Sequence, residues 1–126
     1  MKKNKENKDF TAYLGKGCKL DGEFNFDGVG RIDGNFTGKI NSKDKLIIGD
    51  TGFIKGDIDV SEIIIYGSVE GNIKVKNATI HSTGKVIGDF KVDNLITESG
   101  AIIEGTISMV KKEKIANLEN FKQKRQ

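Results

Sequence analysis

An all-β fold is predicted: a single-domain parallel β-helix, a solenoid of short strands with about 17 residues and three corners in each winding. Three observations predict it. The pattern apolar–x–Gly–x–apolar recurs as LDGEF (20–24), IDGNF (32–36), IYGSV (65–69) and VEGNI (69–73), with FTGKI (36–40), IKGDI (54–58), VIGDF (86–90) and IEGTI (103–107) close to it. Its last glycines, Gly22, Gly38, Gly56, Gly71, Gly88 and Gly105, are spaced by 16, 18, 15, 17 and 17 residues. Between them apolar residues alternate with polar ones, the period of a strand with one buried face. Inward positions also recur every six residues: Ile48, Ile54, Val60; Ile63, Val69, Val75; Ile80, Val86, Val92.

The apolar row can be followed along the chain. It is even-numbered from Leu20, Phe24 and Phe26 through Ile32, Phe36, Ile40, Leu46, Ile48, Ile54 and Ile58 to Val60. It turns odd from Ile63 to Val75, even from Ile80 to Val92, and odd again through Ile103, Ile107 and Met109. Each switch falls at a short polar linker, Ser61–Glu62, Lys76–Asn77 or Asp93–Asn94. Hairpins would break the period at every tight turn, whereas a coil keeps one side inward while it bends. In IIIYGSVEGNIKV (63–75) the inward row includes Gly67 and Gly71, and Ile64 is the exception among the residues facing out. Inward glycines fit bends, where a Cβ would be crowded and permissive backbone angles are needed. Ordinary β-sandwich turns would not preserve the parity through them. Cys18 has inward parity and is expected as a small buried apolar residue.

Composition bounds the rest. A chain of 126 residues with 36% hydrophobic and 31% charged residues allows one domain with a modest core. Sixteen Gly and no Pro exclude a collagen-like or Pro-rich chain, and one Cys excludes an internal disulfide. The start, MKKNKENKDF, lacks the apolar core of a signal peptide, and no apolar run approaches a membrane span, so a cytoplasmic location is expected. Charge is unevenly spread. Lys2, Lys3, Lys5 and Lys8 against Glu6 give residues 1–8 a net +3, five Lys and Arg125 against Glu113 and Glu119 give 110–126 a net +4, and the body between carries −4. The expected organisation is a flexible basic tail over 1–13, a β-helix over 14–110 and a basic, disordered tail over 111–126, in which Ile115, Leu118 and Phe121 are spaced by three.

No chemistry-bearing constellation stands out. The six-residue spacing is shared with hexapeptide-repeat acyltransferases, left-handed β-helices that keep a steady 18-residue clock and generally rely on a catalytic histidine. Here the clock slips, and the single histidine, His81, lies next to inward Ile80, so it is expected as a solvated wall residue. The glycines open no helix and form no GxxxxGK[ST] loop, so phosphate binding is weakly supported. Asp27, Asp33, Asp50 and Asp57 lack calcium-loop spacing. No catalytic residue, metal, cofactor or small-molecule substrate is expected. Nucleic-acid binding by the basic tails is a minor reading, because no series of aromatic residues interleaves with the charges for base stacking.

The run YLGKGCKLDGEFNFDGVGRIDGNFTGKI, followed by LIIGDTGFIKGDI, VEGNI, STGKVIGDF and ESGAIIEG, closely resembles the bactofilins, bacterial polymer-forming cytoskeletal proteins. The resemblance covers residues 13–109 with the motifs in order. It implies a right-handed triangular β-helix that polymerises end to end without nucleotide. It also implies a scaffold for cell-shape or envelope machinery, peptidoglycan-modifying proteins among the implied partners, and in many members a short N-terminal segment that docks on the inner membrane. The residues agree with such assembly. The apolar row runs to both ends without a polar cap, so self-association is expected through Leu20, Phe24 and Phe26 at one end and Ile102, Ile103, Ile107 and Met109 at the other. The alternative is that the tails fold back as caps. Membrane contact is expected from Phe10, Tyr13 and Leu14 with Lys2 and Lys3, unless Tyr13 and Leu14 cap the first coil.

Overall fold

The computed structural model describes residues 10–109. These form ten strands and no helix: β1 (Ala12–Leu14), β2 (Lys19–Phe26), β3 (Val29–Ile32), β4 (Asn35–Ser42), β5 (Lys45–Ile48), β6 (Phe53–Asp59), β7 (Glu62–Ile65), β8 (Ser68–Ile80), β9 (Lys85–Thr97) and β10 (Ile102–Met109). Every pairing is parallel: β1–β3–β5–β7 run on to the last four residues of β8 and β9, while β2–β4–β6–β8–β9–β10 pair along the long segments. The result is a parallel β-solenoid of about six turns.

Each turn has three walls. The short strands make the first. The long segment supplies the second and third, because it bends at its middle glycine. Gly22, Gly38, Gly56, Gly71, Gly88 and Gly105 stand in one column with φ between 132° and 144°. The crowding there is axial: a Cβ on Gly71 would run into the carbonyl oxygen of Gly56 in the preceding turn, not into the interior of its own corner.

The irregular clock comes from the other two corners. Between the third wall and the next first wall the chain spends two residues at Asp27–Gly28 and Lys43–Asp44, but one at Ser61, Lys76 and Asp93. A two-residue corner preserves parity and a one-residue corner inverts it, so the parity switches mark the tight corners. Between the first and second walls the corner takes two residues at Asp33–Gly34 and Tyr66–Gly67, but four at Gly49–Gly52, His81–Gly84 and Glu98–Ala101. Each wall keeps its length and only the corners vary.

The core is a set of apolar ladders. The nine residues predicted inward by the six-residue spacing, from Ile48 to Val92, are all buried, and Phe36 and Phe90 are the largest fully buried side chains. No polar or charged side chain is buried among the described residues. Cys18 departs from expectation. It is exposed, because it sits at a corner of the first turn, which has no turn beyond it to cover an inward position.

Candidate functional site at the two poles

Between the poles each strand edge is satisfied by the turns on either side. At the poles it is not. One pole is bounded by β1 and β2, the other by β10 and residues 94–97 of β9, and each of these has a strand neighbour on one edge only among the described residues. Open edges of this kind are templates for pairing with another chain. Both overlie exposed apolar slices.

At the first pole Leu20 is 42% exposed, with Phe24 and Phe26 half-buried beside it. The rings of Phe24 and Phe26 lie 5.3 Å apart, and Phe24 is 6.1 Å from Phe36 in the next turn. The Phe26 ring occupies the space over Gly30, where any Cβ would collide with it. Leu14 completes this slice: it is half-buried and packs against the core. At the second pole Ile107 and Met109 are 42% and 45% exposed, and Ile103 is half-buried. Leu95 belongs to this slice as well, packed on the core from the short wall. Ile102 does not: its register partner is Lys85, an exposed residue of the outward row, so Ile102 projects from the second wall beside the pole. Leu14 and Leu95 carry the right parity in the sequence, but Leu14 belongs to the stretch expected as membrane contact or cap and Leu95 follows a parity switch.

The corner between the first and second walls carries the polar structure. Near the first pole the Tyr13 hydroxyl donates to Asp33 Oδ2 at 2.9 Å, and Arg31 Nε lies 3.0 Å from the same oxygen. The carboxylate acceptor raises the Tyr13 pKa above its ordinary value, and the Arg31 pKa is raised by the same partner. Further along, the Tyr66 ring stacks on His81 at 4.2 Å, and His81 Nδ1 lies 3.0 Å from Glu98 Oε2. Glu98 also accepts the Ser82 backbone N–H, and these two partners lower its pKa, the backbone bond first. His81 is thus a corner residue held between two turns, not a freely solvated wall residue. Among the described residues no group of three or more His, Cys, Asp and Glu side chains converges on one point.

The segment expected to touch a membrane begins on the first wall. Phe10 stacks on Tyr13 at 6.4 Å, Tyr13 projects outward at 59% exposure, and Leu14 turns inward. β1 therefore extends the first wall by one strand and does not lie across the pole as a cap. Lys2, Lys3 and the segment over 111–126 lie outside the described residues. Within them no helix is long and apolar enough to cross a membrane.

A solenoid with two open poles invites comparison with proteins that stack. The family model described as "Bactofilin: Polymer-forming cytoskeletal" matches residues 12–108. The chain belongs to the bactofilin family. It is 31% identical over 105 residues to Bactofilin BacO of Myxococcus xanthus, covering 82% of this chain and 83% of that protein. Bactofilin BacP of the same organism is 25% identical over 100 residues, which is 79% of this chain and 42% of BacP. Among solved structures, a mutant bactofilin from Thermus thermophilus superposes with a TM-score of 0.67 at 26% identity, covering 69% of this chain and 98% of that one. The matched span of the bactofilin model runs from the first turn to the last, so both poles lie within the family's own domain.

Proposed function

We propose that this bactofilin is a scaffold subunit that stacks end to end through its two poles into filaments without nucleotide, on the cytoplasmic face of the inner membrane, where the filament positions envelope or cell-shape proteins. One observation carries the proposal. The turns between the poles seal their apolar ladders, while Leu20 and the Phe24–Phe26 pair at one pole, and Ile103, Ile107 and Met109 at the other, face solvent under open strand edges. Pairing such ends buries both apolar slices and satisfies the edges together. An edge at each pole makes the association open-ended. Phe10 and the Tyr13 ring, with Lys2 and Lys3 before them, supply the lipid contact. The four lysines of residues 1–8 favour an anionic surface.

Substitution at the poles tests this reading. In Ile107→Arg or Phe24→Arg the guanidinium is solvated in the monomer but buried unpaired in a stacked contact, at a cost of several kcal/mol. Both variants should keep a native circular dichroism spectrum and lose pelletable polymer in nucleotide-free buffer. Lys55→Glu, on the second wall, should assemble as the parent does. Persistent filaments in both folded pole variants would place the contact elsewhere.

A further inference from the structure

The three walls are not alike. The third faces solvent through Glu23, Lys39, Asp57, Asn72, Asp89 and their neighbours in the next column, with no apolar residue in either outward column. On the second, Phe53, Ile87 and Ile102 are divided between two columns and interrupted by Lys19, Lys55, Glu70 and Lys85. The first wall differs from both. Of its two outward columns, one runs Val29, Lys45, Glu62, Asn77, Asn94 and is largely polar, while the other reads Tyr13, Arg31, Ile47, Ile64, Thr79, Ile96, in register from one pole to the other. Ile64, which breaks the alternation in the sequence, is thus one member of an apolar stripe parallel to the stacking axis. Ile96 is 62% exposed, and Ile47 and Ile64 are half-buried by their ladder neighbours. The one cation in this column, Arg31, is turned onto Asp33.

We propose that the first wall is a lipid-docking face: when turns of successive subunits stack, its mainly apolar stripe is repeated along the filament and lies on an anionic bilayer surface. The inference rests on the filament reading given above, since the stripe on one subunit is only as long as one solenoid. Two features select lipid over a second copy of the chain. The described chain begins on this wall, with Phe10 stacked on Tyr13 at the head of the stripe, and the sequence before it holds Lys2, Lys3, Lys5 and Lys8 against Glu6 and Asp9. An anionic membrane complements both the segment and the strip. Tyr13 also suits a water–lipid boundary, with an apolar ring and a hydroxyl already bonded to Asp33. One subunit offers a narrow strip and binds weakly. Many subunits in one filament bind through avidity.

The test separates wall, tail and polymer. Filaments of the parent, of Ile64→Glu/Ile96→Glu, of Asn72→Glu on the third wall and of a deletion of residues 1–9 are pelleted without lipid. They are then floated with vesicles of phosphatidylethanolamine and phosphatidylglycerol, or of phosphatidylcholine alone. The expected result is that all four pellet, that the parent and Asn72→Glu float with the anionic vesicles, and that Ile64→Glu/Ile96→Glu falls to the phosphatidylcholine level. Flotation of the double variant like the parent overturns the proposal and leaves the tail as the lipid contact. So does failure of the parent to float, including the case in which the double variant instead abolishes side-by-side filament bundles, which would assign the wall to a second copy. Loss of pelletable polymer in the parent counts against the filament reading, not the wall. A second measurement reads the wall directly, even if the glutamates prevent folding. In a Cys18→Ser background, a polarity-sensitive fluorophore on Ile96→Cys should shift to the blue on anionic vesicles while one on Asn72→Cys does not. Equal responses at the two positions, or none at Ile96→Cys, overturn it.

Discussion

The middle turns and the pole turns share one register and differ in what lies beyond them. Ile58 and Ile107 occupy the same column, yet Ile58 is sealed and Ile107 is 42% exposed. Gly56 and Gly22 share the bend column with nearly the same φ, 144° and 134°. A Cβ on Gly56 would strike the backbone of Gly38, whereas one on Gly22 would meet nothing within 4 Å. A pole is thus a middle turn with its neighbour removed. In a β-solenoid nothing local stops the stacking of turns; only a cap does, and the described residues present none. The features that make the middle stable are the ones that make the ends adhesive.

The bend column offers the sharpest way to break this comparison. Gly56→Ala combines a positive φ that an L side chain adopts poorly with a backbone collision across turns. Strain and overpacking together should cost on the order of 4 kcal/mol, enough to abolish a cooperative thermal melt in a domain of this size. Gly22→Ala carries the φ penalty alone, about 1–2 kcal/mol. It should stay folded, with a lower Tm by circular dichroism. Its new methyl points along the axis into the space that a stacked partner would occupy, so pelletable polymer should also be lost. If Gly22→Ala assembles as the parent does, the first pole is not in close backbone contact with another copy.

A smaller difference is expected where the columns are apolar. Ile58→Ala empties a fully packed layer and should destabilise the monomer by about 2–5 kcal/mol. Ile107→Ala removes a side chain that is already partly hydrated, and its cost to the monomer should be about 1 kcal/mol. The order should reverse for assembly: Ile107→Ala raises the concentration needed for polymer, while residual folded Ile58→Ala polymerises like the parent. Equal Tm losses for the two variants would mean that the pole is covered in the monomer.

How much of this was legible in the sequence follows the same division. Parity reports which side of the strand a residue faces, and that is a local property, so the buried rows from Ile48 to Val92 and the bend glycines could be read directly. Parity does not report which layer lies above. Cys18 has the parity of an inward residue and is exposed for that reason alone. The pole slices were read in part. Leu20, Phe24, Phe26, Ile103, Ile107 and Met109 carry the apolar row to the ends, but Leu14 stands in the stretch whose pattern suggests membrane contact or a cap, Leu95 directly follows a parity switch, and Ile102 has the parity of the outward row. The three-residue β1 has too little pattern to announce itself; its pairing to β3 is what makes it a strand. His81 illustrates the remaining gap. Its neighbours Tyr66 and Glu98 are distant by 15 and 17 residues, and they meet it only because the variable corners bring successive turns into line.

That corner supplies the smallest effect, and one with a sign in pH. Glu98 belongs to the last turn and is tied to the preceding one by the Ser82 N–H and by His81. Its pKa is lowered from the ordinary carboxylate value of 4.5 by those two partners, the backbone bond foremost. A carboxylate with a depressed folded-state pKa contributes stability that is present above the unfolded value and lost as pH falls through the folded one. The side chain is exposed, so the effect is modest and screened by salt. Glu98→Gln retains an oxygen that can accept from Ser82 but no longer titrates. At neutral pH the parent should therefore melt slightly above Glu98→Gln, and the gap should close as pH falls below the carboxylate range. The protection factor of the Ser82 amide, corrected for the intrinsic pH dependence of exchange, should fall over the same window in the parent and stay flat in the variant. Interior amides such as that of Ile58 should show no difference between the two proteins, since the contact fastens the pole turn and not the middle. A gap in Tm that persists unchanged into acid would assign the role of Glu98 to packing and not to its charge.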